Sequence, residues 1–116
     1  MSFKQEKMQR ATFYVNICYE DDPQFGSWGS ISGRYQFWID FPDEIYEELY
    51  QVWYNNDCHL NNWNINWDGH DKLYNTINQI ATEMLNKIMQ EKMPELGTFS
   101  QYDTLWELSK ETADAF

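Results

Sequence analysis

The stretch Arg34-Tyr35-Gln36-Phe37-Trp38-Ile39-Asp40-Phe41-Pro42-Asp43-Glu44-Ile45-Tyr46-Glu47-Glu48-Leu49-Tyr50-Gln51-Val52-Trp53 changes its hydrophobic period part way along. Up to Phe41 the pattern alternates. Tyr35, Phe37, Ile39 and Phe41 fall on one side, and Arg34, Gln36, Trp38 and Asp40 on the other, which predicts a half-buried strand. After Pro42 the apolar positions become Ile45, Leu49, Val52 and Trp53, the i, i+4, i+7, i+8 spacing of one buried helical stripe. Proline is tolerated in a first helical turn, where no amide donor is needed, and Asp43 and Glu44 suit the positive end of the helix dipole. Asn55-Asn56 closes this helix.

Upstream, Ile31 continues the apolar face in register, and Gly26, Gly29 and Gly33 punctuate the approach. Before them, Phe13, Val15, Ile17 and Tyr19 alternate with Tyr14, Asn16 and Cys18, a second strand broken by Glu20-Asp21-Asp22-Pro23. Two adjacent strands joined by a turn-rich segment are most simply antiparallel. Residues 1–10 show no strong period and are expected to be a flexible lead-in to one globular domain over residues 11–116.

Downstream, Asn62-Trp63-Asn64-Ile65-Asn66-Trp67 alternates strictly and reads as a short strand, although Trp63 and Trp67 could also meet on a helical turn. Asp68 is the expected N-cap of a helix over roughly residues 70–93. Leu73, Ile77, Ile80, Met84 and Ile88 form its stripe, widened by Ala81 and Leu85, and Pro94 stops it. At the end of the chain, Ser100-x-x-Asp103 resembles a helix start, and Tyr102, Leu105, Trp106 and Ser109 fit a helical face. Thr104–Ser109 also fits a closing strand; the helix is the reading adopted. The fold class is therefore α+β: a small, mainly antiparallel sheet packed against two or three amphipathic helices.

At 116 residues the chain has the length of one domain. Leu, Ile, Val and Phe supply 24 residues, a small share for so charged a chain, but 6 Trp and 8 Tyr add large rings to the core. No apolar run is long enough to span a membrane, and no secretory leader is visible, so a cytoplasmic location and reduced cysteines at Cys18 and Cys58 are expected.

The formal charge is −11, from 19 acidic and 8 basic residues. A basic nucleic-acid groove is incompatible with this balance. Residues 11–71 hold eleven acids and a single base, Arg34, so nearly the whole excess lies there. The helix after Pro42 carries no Lys or Arg. Its pairs Glu44/Glu48 and Asp43/Glu47 are like-charge i, i+4 neighbours, each costing a few tenths of a kcal/mol on an isolated helix. Tyr46, Tyr50 and Tyr54 run beside them, and Tyr is a common interface anchor when it is not simply core.

Chemical motifs are weak. Asp57-Cys58-His59 and Asp68-Gly69-His70-Asp71 hold metal-ligand types at spacings that match no closed zinc site. Asn64-x-Asn66-x-Asp68-Gly69 echoes a calcium loop but has Asn75 where a bidentate Glu is required. Cys58 and His59 are adjacent and would point apart on a strand. No catalytic role, metal or cofactor is assigned.

By size, charge and absence of catalytic motifs, the chain resembles small acidic inhibitors: toxin-neutralising immunity proteins, and phage- or plasmid-encoded anti-defence proteins that imitate DNA. That resemblance implies a non-catalytic protein that binds and blocks a basic partner such as a nuclease, a toxin or a nucleic-acid-binding defence protein. Asp43, Glu44, Glu47, Glu48, Tyr46, Tyr50, Glu20, Asp21 and Asp22 are its expected partner-binding residues. The competing expectation is a small-ligand or carbohydrate-binding module in which Trp28, Trp38, Trp63 and Trp67 stack on a ligand beside asparagine amides.

Overall fold

A computed structural model describes residues 7–19 and 31–116. Strand β1 (Met8–Tyr19) pairs antiparallel with β2 (Ile31–Pro42) through twelve matched positions without a bulge, from Met8 opposite Pro42 to Tyr19 opposite Ile31. The alternation places Ala11, Phe13, Val15 and Ile17 on the buried face, together with Phe37 and Phe41 across the ladder. Phe13 and Phe37 stack at 5.3 Å between ring centroids, a cross-strand pair that fixes the register. β1 starts at Met8, so residues 8–10 of the expected lead-in are part of the ladder.

Helix α1 (Asp43–Asn55) leaves β2 directly, with Pro42 as its N-cap residue. Leu49 and Val52 are buried, and Trp53 and Tyr46 pack at the margin of the core, whereas Ile45, expected in the stripe, is exposed. Helix α2 (Asp71–Lys92) is the long element foreseen, but its buried line runs Leu73, Ile77, Ala81, Leu85, Ile88 and Met89. Ile80 and Met84 are only half-buried. Its N-cap residue is His70, without a side-chain cap, and Asp68 lies in the preceding turn, where the His70 amide donates to the Trp67 carbonyl at 2.9 Å. Gly69 sits in that turn at φ 84°, with nothing within 4 Å of an added Cβ. Gly69→Ala is therefore expected to cost about 1 kcal/mol from backbone conformation alone, measurable by urea denaturation.

The Asn62–Trp67 strand does not form. Asn61 Oδ1 accepts from the amides of Trp63 and Asn64, and Asn66 Oδ1 accepts from the Asp68 amide. Asn56 both accepts from the Asn66 amide and donates to the Asn66 carbonyl. Asparagine side chains thus take the backbone groups that a strand would have offered to a neighbour. Strand-like pairing with the sheet is confined to the residue just before the segment, where Asn61 bridges Glu107.

The C-terminal segment also departs from expectation. Ser100 and Asp103 do form a capping box, but for a single 3₁₀ turn, Gln101–Asp103. A strand, β3 (Leu105–Leu108), follows and pairs antiparallel with β1, giving the order β2-β1-β3; a six-residue helix, α3 (Lys110–Ala115), ends the fold. The proposed helical face is not one, since Tyr102 is 88 % exposed and Trp106 fully buried.

What holds this segment is a polar ladder on α2. Asn78, Thr82 and Asn86, at i, i+4 and i+8, bond to Trp106 Nε1 and Gln101, to Thr104, and to both backbone groups of Phe99. Ser109 Oγ accepts from the Thr112 amide to cap α3, and Thr112 Oγ1 accepts from the Thr12 amide of β1.

The architecture is a three-stranded antiparallel sheet with helices α1 and α2 against its apolar face, an α+β fold. No described helix is long and apolar enough to cross a membrane.

Candidate protein-binding surface

Burial of Leu49 and Val52 fixes the rotation of α1, and the rotation decides where its acids go. Asp43, Glu44 and Glu47 are exposed and Glu48 is half-buried, so all four carboxylates lie on the solvent side of one rigid helix. Among the described residues no Lys or Arg forms an ion pair with any of them. Asp43 instead accepts a hydrogen bond from Gln9 Nε2 at 3.0 Å, which ties the start of the helix to β1.

Glu48 lies 3.2 Å from His70 Nδ1. That contact brings the turn before α2 against α1, and with it the exposed Asp68. A small hollow of about 170 Å³ between them is lined by Val52, Asn55, Asn56, Asn66, Asp68 and His70. The sequence marked Asp68 and His70 only as cap and candidate ligand. Their association with α1 depends on how the Asn-rich loop folds, which no local pattern encodes. Among the described residues no three His, Cys, Asp or Glu side chains converge as a metal site would need.

The tyrosines divide. Tyr46 and Tyr50 meet the ring of Phe116 edge-on at 5.4 and 5.5 Å, and Trp53 closes the cluster at 5.0 Å. Burial pushes the Tyr46 hydroxyl pKa upward, consistent with a packing role. Tyr54 stacks on Tyr50 at 6.0 Å and is 61 % exposed, so its ring lies open to solvent. Glu20, Asp21 and Asp22, and with them Trp28, lie outside the described residues.

The Trp and Asn residues of the competing expectation are placed apart. Trp67 turns inward, donates through Nε1 to the Asn61 carbonyl and packs on Tyr74 and Trp106, while Trp63 is exposed. Trp38 lies on the outer sheet face under Arg10, whose guanidinium sits 5.2 Å from the ring centroid. Asn56, Asn61, Asn62 and Asn66 are spent on the loop's own backbone and on β3.

Arg10 and Arg34 are likewise committed. Arg10 forms a two-point bond to Asp40 at 2.9 and 3.2 Å, and Arg34 pairs with Glu107 and lies over Tyr14. Arg10 holds the Asp40 carboxyl below the usual carboxylate range, mainly through that hydrogen bond. With the folded pKa depressed, the pair's small contribution is complete above the ordinary carboxylate pKa and disappears as pH falls through Asp40's lowered value. Arg10→Gln is expected to raise the Asp40 titration midpoint in an NMR pH series.

No family of known proteins, no curated protein and no solved structure matches this chain.

Proposed function

We propose that this chain is an acidic, non-catalytic inhibitor of the cytoplasm that docks through α1 onto the basic cleft of a nucleic-acid-binding protein. Its action is that of an immunity protein or an anti-defence DNA mimic. One observation carries the reading: four carboxylates stand on the solvent side of a fixed helix, unopposed by Lys or Arg among the described residues, with Asp68 on the neighbouring turn. A helix selected for its own stability would intersperse bases there, as α2 does with Lys72, Lys87 and Lys92 near Glu83 and Glu91.

The mechanism is stoichiometric. Carboxylates held in a rigid row occupy the place of phosphates in a basic cleft, and exposed Tyr54 supplies apolar contact at the margin. Complementary fields accelerate encounter and select basic partners, and salt weakens both effects.

The test is retention of host proteins on immobilised chain, compared with the Glu44→Lys/Glu47→Lys/Glu48→Lys variant. Basic nucleic-acid-binding proteins retained by the first and lost by the second support the reading. An identical retained set on both removes α1 from the interface.

A further inference from the structure

The two edges of the sheet are treated differently. The outer edge of β3 is covered: Leu108 N donates to the Leu60 carbonyl at 2.8 Å, Asn62 N donates to the Trp106 carbonyl, and Asn62 Oδ1 accepts from Trp106 N. No described segment pairs with the outer edge of β2, a twelve-residue strand with no bulge and with proline only at its last position. Its buried-side residues Tyr35, Phe37, Ile39 and Phe41 carry no charge. These are features that sheet proteins usually avoid on a solvent edge, because they template further pairing.

The ladder shows which groups are offered. Thr12 uses both its N–H and its C=O on the C-terminal segment, through Thr112 Oγ1 and Ser109 N at 2.9 Å each. Backbone direction alternates, so Ala11, Phe13 and Val15 face β2 and engage Ile39, Phe37 and Tyr35. Arg34, Gln36, Trp38 and Asp40 therefore present their amides and carbonyls outward. Beside them lies a groove of about 300 Å³ between the β2 edge and α2, lined by Gln36, Phe37 and Trp38 of the strand and by the half-buried Ile80 and Met84, with Glu83 and Lys87.

We propose that this edge is the seam of a homodimer, in which two copies of β2 pair antiparallel about a twofold axis through Phe37 to make one six-stranded sheet. The sequence of the edge is self-complementary about that axis. Arg34 falls opposite Asp40 of the second copy, twice per dimer, and Gln36 falls opposite Trp38. On the buried side, Phe37 meets its own counterpart and Tyr35 meets Ile39. The apolar Ile80 and Met84 of each copy are brought beside the same seam. Charge also favours a second copy over a basic partner here: Arg34, Asp40, Glu83 and Lys87 cancel, on a chain whose net charge is −11. The seam contains none of the α1 carboxylates, so this inference stands apart from the inhibitor reading.

Sedimentation equilibrium of the whole chain at tens of micromolar is expected to give twice the 14.1 kDa chain mass. Asp40→Lys alone, or Arg34→Glu alone, sets like charges opposite each other at two places and is expected to weaken the dimer about tenfold. An equimolar mixture of the two variants places Lys opposite Glu and Arg opposite Asp, and is expected to restore dimers. Circular dichroism verifies that each variant is folded; both positions are exposed, and surface ion pairs contribute little to stability. A wild-type chain that sediments at 14.1 kDa overturns the proposal. So does a dimer that both single variants form as tightly as wild type, or a mixture of folded variants that remains monomeric.

Discussion

Trp106→Ala is expected to remove about 3–5 kcal/mol of unfolding free energy, a large part of what a domain of this size possesses. Trp106 is fully buried and meets Phe13 edge-on at 5.6 Å, Trp67 at 5.7 Å and Tyr74 at 6.5 Å, so its ring joins the sheet, the Asn-rich loop and α2. Collapse around the vacated space would require three elements to move together. Its indole N–H donates at 3.1 Å to Asn78 Oδ1, and Asn78 is itself 1 % exposed. Asn78→Leu strands that donor in a dry site and is expected to cost about 1–3 kcal/mol. Trp106→Phe strands the Asn78 oxygen in turn. The two effects are not independent: the Trp106→Phe/Asn78→Leu double variant should lose less than the sum of the singles, because it removes both halves of one hydrogen bond. Denaturant midpoints of the four proteins measure this. Strict additivity would show that the bond does not fasten the C-terminal segment to α2.

Reversing Glu44, Glu47 and Glu48 to Lys is expected to slow association with a basic partner by about 10- to 1000-fold at low ionic strength. The substitutions remove more than half of the net charge and invert the field over α1, while every altered side chain is on its solvent side. The fold should survive with little change in its thermal midpoint. Like-charge spacing at 44 and 48 is retained with opposite sign, and lysine 47 gains the favourable neighbour Asp43. Stopped-flow rates at rising salt separate the two proteins: the wild-type rate falls with salt and the variant rate does not.

The sequence discloses the two long strands and both long helices because each buries one face against the core, and burial of one face leaves a period. Phe13, Val15 and Ile17, or Ile77, Ala81 and Leu85, are legible for that reason. The C-terminal strand is legible only as the second of two readings, because what makes Trp106 a strand residue is Asn78, Thr82 and Asn86, a polar line on a distant helix that resembles a solvated face. The Asn62–Trp67 alternation misleads for the complementary reason: its asparagines satisfy nearby backbone and compete with strand pairing. The acids of α1 are visible as composition, and their placement toward solvent follows from the helical stripe. Their approach to Asp68 depends on Glu48 reaching His70 across twenty-two residues. The outer edge of β2, which no described segment pairs with, is equally silent in sequence, since alternation distinguishes the faces of a sheet and carries no information about its edges.

The central claim, that the α1 face takes the place of nucleic acid in a basic cleft, is tested most directly by competition. Host proteins retained on a phosphocellulose column and eluted by salt form the basic, nucleic-acid-binding fraction, and their cleavage or retention of labelled DNA can be followed as the chain is added. The account predicts that one such activity is lost in proportion to added chain, ending near equimolar ratio, and that the Glu44→Lys/Glu47→Lys/Glu48→Lys variant leaves it intact. DNA cleavage and binding that continue unchanged at saturating wild-type chain, or that the wild-type chain and the variant suppress equally, would contradict it.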